Sequence, residues 1–559
     1  MFPTYLLSLS KDELSKPYAK RLPCSILFQA ASPEQQRTKP AVIYLHGWND
    51  YPYSVEAYSL GCALATKGYL FLSLGMQRRG LEGQMRAIPD DDIEDVNRAV
   101  EYLSSHGCSE VIIIGEEIGA LTALRYQCKK QHNLVKGIVL INPLPDLANW
   151  LENTIGEDRY QAFEQKSESE VIEGSEGEKW VDLAVKNDDK QLLIYQSFDS
   201  WLSWWSKNAD TKISDFLQDV QTPFLLLHRG EVEFEEIEIN TPGCKSCYIE
   251  DKKQLVEQIE SWVSQLELLN NNRFELVTSD VSKPAETVTV QTSDGSSLVG
   301  FLWKGNDSQA NQTVVLHVRG KTGTPITEPL FSELAGVYNQ NDIAALVIEL
   351  HRSGYGGSMQ AIASMDVDDI DAFVELLCQR GYTRIILSGQ SLGSNSIMRY
   401  QVQRRHPNVI ALIHMAPTQD AANWLQKHIG EDAYNSFVLE ARQAIEKGYG
   451  NQGLIGKPPY ENMLSPHRPN SWMSWWSPEA DTANLKTIAH VDIPILLLCG
   501  SKDFFNDRDR LNQLQKAATL APATDIIWYE GCGHNFANFE EKTAVDVVSW
   551  LQKIEQNRR

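Results

Sequence analysis

Three residues late in the chain have the types and order that nucleophilic acyl chemistry requires. Ser391 lies in Gly389-Gln390-Ser391-Leu392-Gly393, with the apolar run Arg384-Ile-Ile-Leu-Ser388 ahead of it and a helical pattern from about Ser394 behind it. Small residues around a serine between a strand and a helix permit a sharp turn that exposes the hydroxyl. A hydroxyl is a weak nucleophile at neutral pH, so it needs a base to take its proton, and the base needs a carboxylate to set its tautomer. Asp503 follows the apolar run Leu498-Cys499, and His534 lies in the Gly-rich loop Glu530-Gly-Cys-Gly-His534 before a final helix. All three therefore follow strand ends, in the order Ser, Asp, His.

The elements that must position them repeat. Asn149-Trp-Leu-Glu-Asn-Thr-Ile-Gly-Glu-Asp-Arg-Tyr160 recurs as Asn423-Trp-Leu-Gln-Lys-His-Ile-Gly-Glu-Asp-Ala-Tyr434, identical at 8 of 12 positions. Trp201-Leu-Ser-Trp-Trp-Ser-Lys-Asn-Ala-Asp-Thr211 recurs as Trp472-Met-Ser-Trp-Trp-Ser-Pro-Glu-Ala-Asp-Thr482, identical at 8 of 11. The offsets are 274 and 271 residues, and the 14 tryptophans divide seven and seven. A period this long is a duplicated domain and not a solenoid. The reading is residues 1–268 as one domain, 269–284 as a polar linker and 285–559 as the other. In the second half, Thr313-Val-Val-Leu-His317, Ala344-Leu350, Arg384-Ser388, Val409-His414 and Pro494-Cys499 are short apolar strands separated by helical patterns such as 368–380. That alternation predicts an α/β fold with a mostly parallel sheet covered on both faces, preceded by a hairpin turning at Asp294-Gly295. Residues 417–481 interrupt it and read as an inserted helical cap, and the first half is expected to carry a like cap.

With these residues in place, the chain resembles two fused α/β-hydrolase domains, the second with Ser391, Asp503 and His534 at the matching positions. His351-Arg352-Ser353-Gly354-Tyr355-Gly356 is similar to the R-G-Y-G-x-S loop that many members carry. The resemblance implies an oxyanion hole from the Leu392 N–H and from a loop where the family commonly has His-Gly-x. Here that loop is Val318-Arg319-Gly320-Lys321, so the second donor is the Lys321 N–H, and Arg319 or Lys321 could favour an anionic substrate. Trp472, Trp475 and Trp476 read either as the cap's packed core or as a wall for a ring-bearing or apolar substrate.

The first half departs from this pattern. Aligned on the repeat, its elbow is Gly115-Glu116-Glu117-Ile118-Gly119, which puts Glu117 in the nucleophile's place. Glu233 is an acid candidate, but no histidine lies between His228 and the end of this half. His46-Gly47-Trp48 keeps the family's oxyanion loop. A degenerate domain with a structural or shielding role is expected.

Composition sets the outer limits. The chain has 559 residues, 42% of them hydrophobic and 22% charged, and a formal net charge of −23. By residue count, −16 of that falls on residues 1–270 and −7 on the rest. Such a field repels phosphate backbones and anionic membranes, so nucleic acid and lipid headgroups are not expected partners. Nine scattered cysteines suit a reducing compartment better than a disulfide framework, and the lone Cys244-x-x-Cys247 is weak evidence for metal. No run approaches the roughly 18 apolar residues of a membrane span. The expectations are a cytoplasmic serine hydrolase that needs no metal or cofactor and acts on a small ester or thioester. Its halves are expected to pack as a pseudo-dimer, with a homo-oligomer also open. An acyl-transfer enzyme or cyclase using the same triad, and a non-catalytic scaffold, are the rival readings.

Overall fold

Short β-rich apolar runs form the strands of two sheets, one in each half of a computed structural model. The structure describes residues 4–7, 9, 25–30, 32–48, 50–79, 86–172, 180–187, 190–228, 242–249, 252–269, 271–276, 284–305, 313–326, 330–418, 420–455, 467–480 and 482–556. Glu233 and the glycosylation-type sequons at Asn306 and Asn311 lie outside the described residues. The chain divides into Met1–Pro284 and Ala285–Arg559.

In the first unit the strands are β1 (Thr4–Leu7), β2 (Ser25–Phe28), β3 (Ala41–Leu45), β4 (Phe71–Ser73), β5 (Val111–Glu116), β6 (Val135–Ile141), β7 (Trp180–Asn187), β8 (Lys190–Ser197), β9 (Phe224–His228) and β10 (Lys245–Tyr248). Eight of them form one sheet in the order β1-β2-β4-β3-β5-β6-β9-β10, while β7 and β8 pair with each other. The second unit has β11 (Glu286–Gln291), β12 (Ser297–Trp303), β13 (Thr313–Val318), β14 (Ala344–Ile348), β15 (Arg384–Gln390), β16 (Val409–Met415), β17 (Ile495–Gly500) and β18 (Thr524–Tyr529). Their order is β11-β12-β14-β13-β15-β16-β17-β18, the same arrangement. From β14 to β18 the pairing is parallel, and β11–β12 is the antiparallel edge hairpin, with Gly295 in the left-handed region at φ 86°. β13, β15 and β17 are buried almost throughout and mostly aliphatic, as strands covered on both faces must be.

Two details differ from the sequence expectation. The first unit's inserted segment is helical at its ends, Leu147–Ile155, Glu157–Ile172 and Phe198–Trp205, but carries the β7–β8 hairpin between them. The opening of the expected linker is stitched to the first unit: the buried Asn272 accepts the Ser109 N–H at 2.7 Å and the Glu110 N–H at 3.2 Å. The Arg273 and Glu275 N–H groups then donate to Gly107 O and His106 O. An asparagine run reads as polar linker until its amides find buried backbone to satisfy. Among the described residues no helix is long and apolar enough to cross a membrane. Cys244 and Cys247 are free thiols, and the Cys244 sulfur accepts the Phe224 N–H.

Candidate active site

The site begins with a strained turn. β15 ends at Gln390 and the helix Leu392–Arg404 starts with only Ser391 between them, which forces Ser391 to φ 53°, ψ −121°. Non-glycine residues occupy this region only when their surroundings impose it. The imposing contact is close: a Cβ at Gly393 would lie 2.3 Å from Val318 O, so the helix start and the end of β13 leave room only for glycine. Gly320 does the same beside the serine, where a Cβ would lie 2.9 Å from Ser391 Cβ. The 319–321 loop therefore rests directly on the elbow.

Arg352 holds that loop. Its buried guanidinium donates to Gly320 O at 2.5 Å, to Arg319 O at 2.6 Å and to Asp366 at 2.6 Å, and Ser396 at the elbow helix also donates to Asp366. In a trans peptide the C=O and N–H point opposite ways, so fixing Gly320 O toward Arg352 turns the Lys321 N–H to the other side. The first unit repeats the clamp: Arg78 donates to Asp92, Gly47 O and His46 O.

The acid and the histidine meet across two strand ends. Asp503 follows β17 and His534 follows β18, and His534 Nδ1 donates to Asp503 Oδ1 at 3.0 Å. The same oxygen accepts the Phe505 N–H at 2.9 Å, while Oδ2 accepts from Asn506 at 3.1 Å and from the Cys499 thiol at 3.3 Å. Burial pushes the Asp503 carboxyl up, but His534, Phe505 and Asn506 outweigh it and hold the group below its ordinary value. The carboxylate thus stays ionised and fixes the imidazole with Nε2 turned away from it. Gln390 donates to Asn535 at 3.3 Å, tying the residue before the serine to the residue after the histidine.

The other expected residues fall into two groups. Leu392 opens the elbow helix and buries its side chain in the cap core. Arg319 is buried with its guanidinium 5.1 Å from the Phe331 ring centroid. The Lys321 ammonium lies 4.7 Å over the Trp476 ring, and loss of water there brings its pKa down to about 7. Trp472, Trp475 and Trp476 are all buried in the cap. The Trp475 indole N–H donates to Ala361 O at 2.9 Å, and that of Trp476 donates to His467 Nε2 at 3.1 Å. Trp472 packs against Tyr434 and Phe437. Sequence reasoning missed Arg352 as a clamp, Asn506 and Cys499 on the acid, and the rings of Phe504 and Phe505 beside His534. The aromatic pair directly after Asp503 was the available signal.

In the first unit, Glu117 keeps the strained elbow at φ 52°, ψ −113°. Its carboxylate lies over the oxyanion loop, since a Cβ at Gly47 would be 2.5 Å from Glu117 Oε2. Glu116, beside it, accepts a short hydrogen bond from the buried Tyr44 hydroxyl.

Strand order, the left-handed elbow and loops gathered at the carboxyl ends of parallel strands decide the fold. The chain folds as two tandem α/β-hydrolase domains. Family models agree in pieces: a protein of unknown function family (DUF1749) over residues 281–505, an uncharacterised protein family (UPF0227) over 41–222, and the dienelactone hydrolase family over 472–554. The dienelactone hydrolase match spans Asp503 and His534 and supports a hydrolase. No curated protein sequence matches. Among solved structures, the chain is similar to Est1E from Butyrivibrio proteoclasticus, with 17% identity and a TM-score of 0.35, over 49% of this chain and 99% of that one. It is also similar to a highly thermostable carboxyl esterase from Bacillus coagulans, with 13% identity and a TM-score of 0.39, over 48% of this chain and 98% of that one.

Proposed function

We propose that the second α/β-hydrolase domain is a serine hydrolase that opens an ester or thioester through an acyl-enzyme, and that the first domain has no turnover of its own. The observation that carries this reading is the His534–Asp503 hydrogen bond on a loop tied, through Asn535 and Gln390, to the strained Ser391 turn. Ser391 Oγ attacks the acyl carbon, and its proton passes to His534 Nε2. Asp503 keeps the Nδ1 proton in place and stabilises the imidazolium without taking a proton itself. The oxyanion is met by the N–H groups of Leu392 and Lys321, already oriented by the elbow and by Arg352. Collapse breaks the bond to the leaving oxygen or sulfur, which receives the proton from Nε2. Water then repeats the sequence on the acyl-enzyme, releasing the acid and restoring Ser391.

The first domain has Glu117 where the nucleophile belongs, with its carboxylate over the loop that would receive a carbonyl oxygen, and no histidine after His228. An organophosphonate probe tests the proposal on the full chain. It is expected to label Ser391, and Ser391→Ala is expected to abolish labelling and lower kcat by roughly 10⁴-fold or more. Full turnover in Ser391→Ala would overturn the reading.

A further inference from the structure

We propose that Phe504, Phe505 and Trp424 form the leaving-group subsite, and that the ester this domain takes is that of an aromatic alcohol. The inference rests on the serine-hydrolase reading and deepens it. In that reaction His534 gives its proton to the departing oxygen, which must therefore lie within about 3 Å of the imidazole. Whatever is bonded to that oxygen therefore lies near the groups packed beside His534.

Two of those groups are phenyl rings. The Phe505 and Phe504 centroids are 4.8 Å and 5.3 Å from that of His534, and the two phenyl rings are 4.2 Å from each other. Trp424, on the cap helix Ala421–Ile429, continues the row 5.1 Å beyond Phe505 and is itself stacked on His428 at 4.9 Å with the planes 11° apart. The row runs from the base to the cap. Phe504 is 64% exposed, and among the described residues no other phenylalanine or tryptophan is as open to solvent. An exposed phenyl ring next to the proton donor gains by being covered, and rings are best covered by another ring, offset or edge-on at 4.5–7 Å between centroids. Release follows the ordinary course: the acyl carbon to oxygen bond breaks, Ser391 holds the acyl group, and the aromatic alcohol leaves with the proton from Nε2.

Acetate esters of methanol, cyclohexylmethanol and benzyl alcohol share one acyl group and have leaving alcohols of similar acidity, so their rates report the subsite. The full chain is expected to turn over benzyl acetate with kcat/KM about tenfold above methyl acetate, and above the cyclohexylmethyl ester. Phe504→Ala is expected to lower kcat/KM for benzyl acetate about 3–10-fold, the worth of one aromatic pair, while methyl acetate changes less than about twofold. Phe504→Tyr should restore the preference. Equal turnover of the benzyl and cyclohexylmethyl esters overturns the aromatic class, and an equal loss on all three in Phe504→Ala overturns the subsite. In either case intact phosphonate labelling of Ser391 shows that the hydrolase reading survives, whereas no labelling and no turnover of any ester removes both.

Discussion

Ser391 and His534 need no unusual neighbours to be chemical, but their geometry depends on residues that do no chemistry. Arg352 spans two carbonyls of the oxyanion loop and one carboxylate, which only a planar, multiply donating guanidinium can do. Lysine would keep the charge opposite Asp366 but can reach only part of this set. Arg352→Lys is therefore expected to lower kcat on an ester about 10²-fold with KM little changed, because a mis-aimed oxyanion donor is felt mainly in the transition state. Steady-state kinetics check it, and an unchanged kcat would remove the clamp from the mechanism. Asn506 and Cys499 act similarly on Asp503, holding the oxygen that His534 does not use.

At the scale of elements, the two caps carry one hydrogen-bond relay built from different residues. In the second, the Trp476 indole donates to His467 Nε2, His467 Nδ1 donates to Ser471 at 2.9 Å, and Ser471 donates to Ala361 O at 2.8 Å. In the first, the Trp205 indole donates to Gln196 at 2.7 Å, Gln196 donates to Ser200 at 2.8 Å, and Ser200 donates to Ala87 O at 2.7 Å. A glutamine and a neutral histidine each offer one acceptor and one donor at similar reach. Burial and the nearby Lys321 push His467 well below its ordinary pKa, so it stays in the neutral form that the relay needs. His467→Gln is thus expected to leave the melting midpoint within about 2 °C. His467→Leu, which strands a buried indole N–H at about 1–3 kcal/mol, is expected to lower it by roughly 3–8 °C. Equal effects of the two substitutions in a thermal melt would contradict the relay.

At the scale of the whole molecule, duplication kept the scaffold in both halves and the Ser391, Asp503 and His534 set in one. The first domain retains the sheet order, the elbow strain and the arginine clamp, yet has Glu117 at the elbow and no histidine after His228. Restoring the nucleophile alone should therefore restore nothing. With Ser391 replaced by Ala, Glu117→Ser is expected to give neither phosphonate labelling nor ester turnover, and labelling at position 117 would show that a base is supplied after all. The uneven charge, −16 against −7, sits on the half without the triad residues.

Much of this was legible before any coordinates. Strand and helix alternation, the duplication, the order Ser, Asp, His and the missing histidine of the first half are local patterns, and local spacing determines local backbone and residue type. Other features belonged to packing. The Trp-x-Ser-Trp-Trp motif could be core or pocket wall, and only the partners of its indoles place Trp476 at the head of the cap's hydrogen-bond relay and Trp475 on its last acceptor, Ala361 O. Gln196 and His467 share no chemistry in a sequence comparison, yet they fill one position because both must satisfy the same buried donor and hydroxyl. Arg352 reaches carbonyls 32 and 33 residues away, and the rings of Phe504 and Phe505 gain meaning only once β17 and β18 bring His534 beside them. The sequence by itself determined which groups could react. The tertiary structure alone decided what surrounds them, because side-chain neighbours across a sheet depend on strand order and register, which no single segment encodes.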